Sequence, residues 1–485
     1  MSQPPVVVVG AGPVGLTLGC ELLQRGVPVR VIERVDRPHP HAKAIIVWPR
    51  GLEALGRIGA AERVLAQGHV IQAQNYHSGP RRLARTHFGK LTGTRYPYAL
   101  SIPQELTEGV LRERFQELGG SIEFGVRLDD FSQDADSVQL TLSTDQGTRQ
   151  DSCSWLVGCD GAHSTVRDRL GVPFTGSSYP QQFLLSDGPC ETELAQDEAH
   201  YFMTPSGVLV VVGLPGGLYR VFVSIDPNQP VTDPVAAVQT AATQRCPVPL
   251  RLVGEQRTGV FRVHRKAAER WRVGRVLLAG DAAHIHSPAG GQGMNTGIED
   301  ASSLAWRLAG VVGGTATEAD LDQWEYERLH VAHGVVRDTD QQTRLWMLKG
   351  WKSRLRDALL HGAQSAGLLD RVVVPRQAQL NLAYPGQRLR AGRLVTGARL
   401  PDLPLSQGGW LHDVLRPADA TLLLFGRAPA AGGSTLRQVR LDSQPLRSVL
   451  RVGADTAAVV RPDAVLAWVG RADDRSGLDA AARRL

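Results

Sequence analysis

At 485 residues, the chain has room for about three domains of roughly 150 residues each. With 42% hydrophobic and 21% charged residues, it has the make-up of a soluble globular protein with a sizeable core. A net charge of +6 favours anionic partners such as dinucleotides. The arginines are scattered, as over 262–275, with no basic block or RNA-binding signature, so we expect no nucleic-acid partner. Cys20, Cys153, Cys159, Cys190 and Cys246 form no C-x-x-C pair and read as reduced thiols, not a disulfide framework or a zinc knot. There is no signal-peptide pattern and no run of about 18 apolar residues, so we expect a cytoplasmic protein with no membrane span and no membrane partner.

Residues 5–33 read as strand, turn, helix, strand. The β-branched run at 6–9 marks a strand buried on both faces. A glycine turn over 10–15 leads into a helix over 16–25 closed by Gly26, and a second strand covers 27–33. Pro49 stands where a helix begins, with Leu52, Leu55 and Ile58 at helical spacing. Another helix is predicted over 104–118, and strands at 121–124, 138–143 and 154–159. From 180 to 265 the pattern changes to alternating stretches, as at 207–213 and 219–225, separated by glycine, proline and asparagine turns. That predicts an inserted antiparallel sheet. A short apolar strand follows at 276–279, then a helix over 293–312. A long helical region covers 321–360, with Trp324, Leu345, Trp346, Leu348 and Trp351 as apolar anchors. Residues 371–383 are expected to be a linker, and a third unit begins near Tyr384, with strands at 421–425 and 464–469. The expected fold is α/β. A βαβ dinucleotide-binding domain with long helices covers 1–179 and 266–383, an inserted substrate-binding sheet domain covers 180–265, and a small unit covers 384–485.

The first chemical signal is Gly10-Ala11-Gly12-Pro13-Val14-Gly15, a G-x-G-x-x-G turn. Its first glycine allows the tight turn, the second lets backbone approach a pyrophosphate, and the third lets helix pack on strand. The helix N-terminus then offers free N–H groups to phosphates. Glu33, at the end of the second strand, stands where a carboxylate accepts ribose hydroxyls. This much points to a dinucleotide without choosing between NAD and FAD.

Two further motifs choose. Asp160-Gly161 ends a buried strand, and Ser164 is a candidate N-cap for the next helix. A second strand ends in Gly280-Asp281. The loop His286-Ser287-Pro288-Ala289-Gly290-Gly291-Gln292-Gly293-Met294-Asn295 follows, then a helix containing Glu299-Asp300. A strand-end carboxylate suits a sugar-alcohol hydroxyl. A helix N-terminus aimed at the N1–C2 carbonyl region of a reduced flavin stabilises its negative charge by about 0.3–2 kcal/mol.

The three motifs, in this order, resemble those of the class A flavoprotein aromatic hydroxylases, the group typified by p-hydroxybenzoate hydroxylase. The stretch GDAAHIHSPAGGQGMNTGIEDA is specific for that family, and the resemblance covers residues 5 to about 340. It implies that Asp281 binds the FAD ribitol, that Pro288 stacks beside the isoalloxazine, and that Gly291, Gly293, Met294 and Asn295 lie against its pyrimidine end. It implies that Asp160 serves FAD and NAD(P)H, and that Gln104 contacts FAD. Arg34, Ala44, Arg127 and Leu128 join the implied FAD set. Many relatives have Arg-Ala where this chain has Lys43-Ala44. Lysine lacks the bidentate fork of arginine, yet Lys43 is still expected to meet FAD phosphate. The region from Tyr384 resembles the thioredoxin-like C-terminal domain of the phenol and polyketide hydroxylase branch, without C-x-x-C.

The resemblance also implies the chemistry. NADPH or NADH reduces FAD, O2 adds at C4a, and the hydroperoxide passes one oxygen atom to an aromatic or polycyclic substrate, in natural-product tailoring by this reading. The absence of a second G-x-G-x-x-G fits a nicotinamide cofactor that binds transiently. No catalytic side chain is assigned. Strand alternation puts Arg220 and Phe222 on one face of the inserted sheet and Val221 and Val223 on the other. Tyr201, Met203, Val210, Val212, Arg220, Phe222 and Pro288 are the pocket candidates, each against ordinary sheet packing. The same scaffold also supports epoxidation, Baeyer–Villiger insertion, antibiotic inactivation or, in another class, flavin binding without turnover. His284-x-His286 lacks a third ligand nearby and is not read as a metal site. No G-x-S-x-G marks a hydrolase, and no W-x-W-x-I-P marks a halogenase. A monomer or homodimer is expected.

Overall fold

The computed structural model describes residues 6–36, 44–226, 231–431 and 435–483, with Pro180 described by its backbone alone. The predicted βαβ start forms a six-stranded sheet. Its order is Arg272–Val273, Val276–Leu278, Trp155–Gly158, Val6–Val9, Val29–Glu33, Ile122–Phe124. All neighbours are parallel except the first pair. Val6–Val9 is buried along its whole length, as a continuous β-branched run requires when helices cover both faces. Helix α1 (Pro13–Gln24) packs against helix α2 (Gly293–Val312). Val14 closes on Gly280 and Gly297, where added Cβ atoms would meet it at 2.8 and 2.6 Å. That contact fixes the glycine turn against the Gly-Asp loop.

The inserted sheet has eight strands. Its order is His284–Ile285, Arg257–Ala268, Phe174–Gly188, Tyr219–Ile225, Gly207–Gly213, Glu198–Thr204, Ala73–Ser78, Arg81–His87. Its last two strands come from far upstream, and Ala73–Ser78 runs parallel to Glu198–Thr204. One face packs Val221 and Val223 against the helix Pro234–Arg245. The other face carries Arg220 and Phe222 toward the first domain.

The long helical region is two helices, α3 (Glu318–Trp346) and α4 (Trp351–Ser365). They part at Gly350, whose φ of 62° lies in the left-handed region that glycine tolerates. Residues 371–383, expected to be a linker, are instead largely packed. Leu369–Val373 and Val374–Gln377 are helical, and buried Gln377 and Gln379 bond to Gln292. Val374 and Ala378 are buried in the apolar cluster beside these glutamines, but they are too few and too isolated along the chain to announce an element in the sequence.

The C-terminal unit is a four-stranded sheet of order Arg437–Leu441, Thr421–Phe425, Thr456–Val460, Leu466–Arg471. The first pair is parallel and the other two antiparallel. Buried charges dock it. Arg399 Nε donates to Glu53 at 2.6 Å, Arg461 pairs with Glu327 at 3.0 Å, and Arg50 Nη2 donates to the Asp463 carbonyl at 2.8 Å.

Candidate functional site

The glycine turn is built for close approach. A Cβ on Gly15 would sit 2.0 Å from the Gly10 carbonyl oxygen, and one on Gly10 would sit 2.5 Å from the Cys159 oxygen. These two glycines are needed for the turn itself. Gly12 differs, because the nearest atom to its would-be Cβ is Glu108 Oε1 at 4.0 Å. The backbone there faces open space. Gly12 is also the N-cap of α1 and supplies no side-chain cap, which leaves helix N–H groups to an outside acceptor. Glu33 Oε2 accepts from Ala11 N at 2.9 Å and Oε1 from Val35 N at 3.2 Å, so its carboxylate is held beside the turn. Such a cradle fits the pyrophosphate and ribose of a dinucleotide.

The Gly-Asp loop is held from behind. Asp300, on α2 and fully buried, accepts from Gly280 N at 3.2 Å, His284 Nε2 at 2.7 Å and Arg328 Nε at 2.7 Å. Arg328 on α3 donates onward to Tyr384 Oη at 3.2 Å and the Thr296 carbonyl at 3.0 Å. The Arg328 guanidinium holds Asp300 below the usual carboxylate range against the opposing effect of burial. Farther along the loop, Trp48 Nε1 donates to the Gly290 carbonyl at 2.8 Å. Asn295 Oδ1 accepts from Trp48 N at 2.8 Å, and Nδ2 donates to the Ile46 and Gly291 carbonyls at 2.9 Å. The Asn295 side chain is therefore a brace behind the loop. The first turn of α2, at Gly293, has no side-chain cap either.

One cavity of about 420 Å³ joins these parts. At one end it is lined by Gly12, Pro13, Val14, Ala44, Gln104, Asp281, Pro288, Gly291, Gly293 and Met294. At the other it is lined by Tyr201, Val210, Val212, Arg220 and Phe222 of the sheet. Of the remaining residues singled out in the sequence, Met203 packs in the apolar cluster behind the wall. Gly10, Gly15 and Glu33 form or flank the turn outside the lining, and Asp160 braces the turn that follows its own strand. Arg34 is exposed at the end of its strand. Arg127 is exposed and pairs with Asp129, while Leu128 lies in the core of the first domain. Lys43 lies outside the described residues.

The cavity has walls that sequence reading did not assign. Phe183 stacks with Phe222 at 5.0 Å and with Phe261 at 6.1 Å, while Phe222 and Phe261 meet at a tilt at 5.7 Å. Tyr201 stacks on Tyr76 at 5.3 Å and meets Trp346 at 5.0 Å. The three tryptophans weighed as packing residues take separate fates. Trp324 is core against Trp271, Trp346 lines the cavity, and Trp351 is exposed.

His286 also lines the cavity. Its Nδ1 lies 2.9 Å from the Ser287 carbonyl, an acceptor, so Nδ1 carries the proton and Nε2 the lone pair. Nε2 is buried without a protein partner and lies 3.9 Å from the point where a Cβ on Gly293 would stand. Burial and neighbouring His284 push the His286 pKa down to about 4, so the ring is neutral at ordinary pH. His284 and His286 are thus engaged by Asp300 and Ser287, and among the described residues no cluster of three metal-ligating side chains occurs. Asp160 Oδ2 accepts from Val166 N at 3.1 Å while Oδ1 has no protein partner, and burial raises this carboxyl above its usual range.

Comparison with known proteins agrees with this geometry. A family model described as an FAD binding domain matches residues 3–339. The chain is 37% identical over 411 residues to a 6-methylpretetramide 4-monooxygenase of Streptomyces rimosus, covering 84% of this chain and 71% of that protein. It is 34% identical over 488 residues to a 12-dehydrotetracycline 5-monooxygenase/anhydrotetracycline 6-monooxygenase of Streptomyces rimosus subsp. rimosus, covering 96% and 94%. Among solved structures, an anhydrotetracycline hydroxylase from Streptomyces rimosus superposes with a TM-score of 0.83 at 31% identity, over 100% of this chain and 99% of that one.

Proposed function

The chain belongs to the FAD-dependent aromatic monooxygenases, and from that premise we propose that it hydroxylates an aromatic, polycyclic natural product with NADPH or NADH as reductant and O2 as oxygen source. The observation that carries this reading is the continuity of the cavity from the Gly-Asp loop to the aromatic wall. Bound FAD supplies hydride acceptance and oxygen activation. The chain's own residues do the rest. The Gly12 backbone and the uncapped start of α1 hold phosphate, Glu33 holds ribose, and Asp281 holds the ribitol. Pro288 and the first turn of α2 flank the ring system, the turn favouring negative charge beside it. Two aromatic groups on the cavity wall, Phe183 with Phe222 and Phe261 and Tyr201 with Trp346, offer apolar ring faces to a fused-ring substrate and keep water from the reacting atoms. A relative named for 12-dehydrotetracycline and anhydrotetracycline supports a polycyclic substrate.

We further infer that the C-terminal unit is a thioredoxin-like domain, a reading supported by its mixed four-stranded sheet with flanking helices Gln444–Leu450 and Arg475–Ala482. Residues 384–485 contain no cysteine, so its role is structural. The test of the proposed activity is stopped-flow reduction of the yellow holoenzyme by NADPH and by NADH, with and without polycyclic phenols. Acceleration by a substrate, together with a product bearing one added oxygen atom, is the expected result. Reduction that no substrate accelerates, with no oxygenated product, leaves a flavin-binding protein without turnover.

A further inference from the structure

Helix α4 turns its largest apolar side chains outward. Trp351, Leu355 and Leu359 are 70%, 53% and 63% exposed. Spaced by four, they fall within about 80° of one another around the helix axis. The inner side is held by buried Arg356, which donates to Asp357 at 2.7 Å and to the Leu345 carbonyl at 3.3 Å, and by Leu360 and Ala363. Cations border the outer stripe. Lys349, Lys352 and Arg354 are all exposed, and Asp357, the only acid on the helix, is engaged by Arg356. An outward stripe of tryptophan and leucine bordered by lysine and arginine is the pattern of a helix that lies in the plane of a membrane surface.

We propose that α4 docks the enzyme on an anionic lipid bilayer, with Trp351, Leu355 and Leu359 entering the acyl boundary and Lys349, Lys352 and Arg354 meeting headgroup phosphates. The sequence led us to expect no membrane partner because no span exists, and no helix among the described residues is long and apolar enough to cross a bilayer. Peripheral docking needs only one amphipathic face. Two observations favour lipid over a second copy of the chain. The 15-residue helix is about 22 Å long and offers a footprint of roughly 220 Å², well short of the roughly 800 Å² per partner in a stable interface. A twofold contact across this stripe would also bring Lys352 and Arg354 close to their own copies. Trp346 and Met347, which line the cavity, precede α4 by a few residues, so docking sets the cavity wall beside the lipid. Uptake of an apolar substrate from the bilayer is a corollary that rests on the proposed hydroxylation. Docking itself does not.

The experiment is flotation of the purified FAD-loaded enzyme with vesicles of phosphatidylcholine alone and of phosphatidylcholine mixed with phosphatidylglycerol. The wild type is expected to float with the mixed vesicles and to be released by salt. W351S/L355S/L359S should remain in the dense fraction with an unchanged melting temperature. K352Q/R354Q should partition roughly 25-fold less, about fivefold for each charge removed. The proposal is overturned if the wild type fails to float with the mixed vesicles or if the triple variant floats as well as the wild type. It is equally overturned if sedimentation shows a dimer that the triple variant abolishes while vesicles bind neither protein. No outcome depends on turnover, so failure here leaves the monooxygenase assignment standing.

Discussion

Gly12→Ala separates a glycine kept for the fold from one kept for the ligand. Gly12 has φ −77°, a value any residue adopts, and the nearest atom to its added Cβ is 4.0 Å away. The apo-protein should therefore tolerate the methyl group, with a stability change within about 0.5 kcal/mol. The new carbon would enter the space proposed for a pyrophosphate, and an overpacked contact of that kind costs about 1–3 kcal/mol. The expected loss is roughly five- to 150-fold in the Kd for FAD. Gly15→Ala supplies the contrast. Its Cβ would lie 2.0 Å from the Gly10 carbonyl oxygen, so the apo-protein itself should be destabilised by about 3 kcal/mol or more. Thermal unfolding of both apo-variants, with FAD affinity from flavin fluorescence quenching, measures the two effects separately. G12A protein that melts as the wild type and binds FAD with the wild-type Kd would refute the assignment of Gly12 to the phosphate cradle.

Other consequences follow from the buried charges and the cavity wall. Arg399→Ala removes the main partner of the buried Glu53 carboxylate, leaving Arg50 at 3.6 Å and Thr94 Oγ1 at 2.8 Å, and should lower stability by about 3 kcal/mol, read as a fall in the urea midpoint. The Glu53 pKa is held down to about 2 by Arg399, against the opposing pull of burial. A depressed carboxylate stabilises the fold above its unfolded value near 4.5 and loses that contribution as pH falls toward 2. Acid unfolding should accordingly be shallower in Glu53→Gln over that window, and coincident acid limbs in wild type and variant would contradict the assignment. Asp300→Ala leaves Arg328 without its carboxylate and Gly280 N without an acceptor. It should cost about 3–5 kcal/mol and speed FAD release, measured by dilution of the holoenzyme. Phe222→Ala removes one ring of the phenylalanine cluster and should raise the substrate Kd with little change in FAD affinity. Equal losses of both would place Phe222 in support of the fold rather than in the substrate wall.

The parts of the molecule that were legible in the sequence are those set by neighbours along the chain. The turn at 10–15, the helix over 293–312 and the Ser164 cap, whose Oγ accepts from Arg167 N, each depend on local backbone demands that glycine, apolar period and hydroxyl spacing express directly. Strand alternation likewise carried Arg220 and Phe222 to the cavity face. What escaped is non-local. Ala73–Ser78 joins the large sheet by pairing with Glu198–Thr204, more than a hundred residues later, and nothing near residue 73 names that partner. Tyr76 and its stack were hidden with it. The Gly350 break was written in the sequence, but helical spacing on either side of it reads as one helix.

The buried ion pairs are the deepest case of this kind, and they bear on how the site works. Arginine and carboxylate positions look like solvated surface until the fold brings them together, as Glu53 with Arg399 and Glu327 with Arg461. Their burial ties the helix Pro49–Arg57 and α3 to the C-terminal unit, α2 joins through Arg50–Glu299 and Arg307–Glu327, and α2 and α3 brace the Gly-Asp loop. Asp300 grips Gly280 and His284, Arg328 grips Asp300, and Tyr384 at the edge of the C-terminal unit accepts from Arg328. Within the loop, Gln292 and Asn295 side chains bond its own Gly290 and Gly291 carbonyls, but nothing local fixes its Gly280 end. Rigidity there comes from behind, and a network of buried paired charges supplies it, because any displacement would leave a buried charge unpaired. On this account a C-terminal unit without cysteine still contributes to the first domain, by fixing the backbone of the Gly-Asp loop that is proposed to hold the flavin ring.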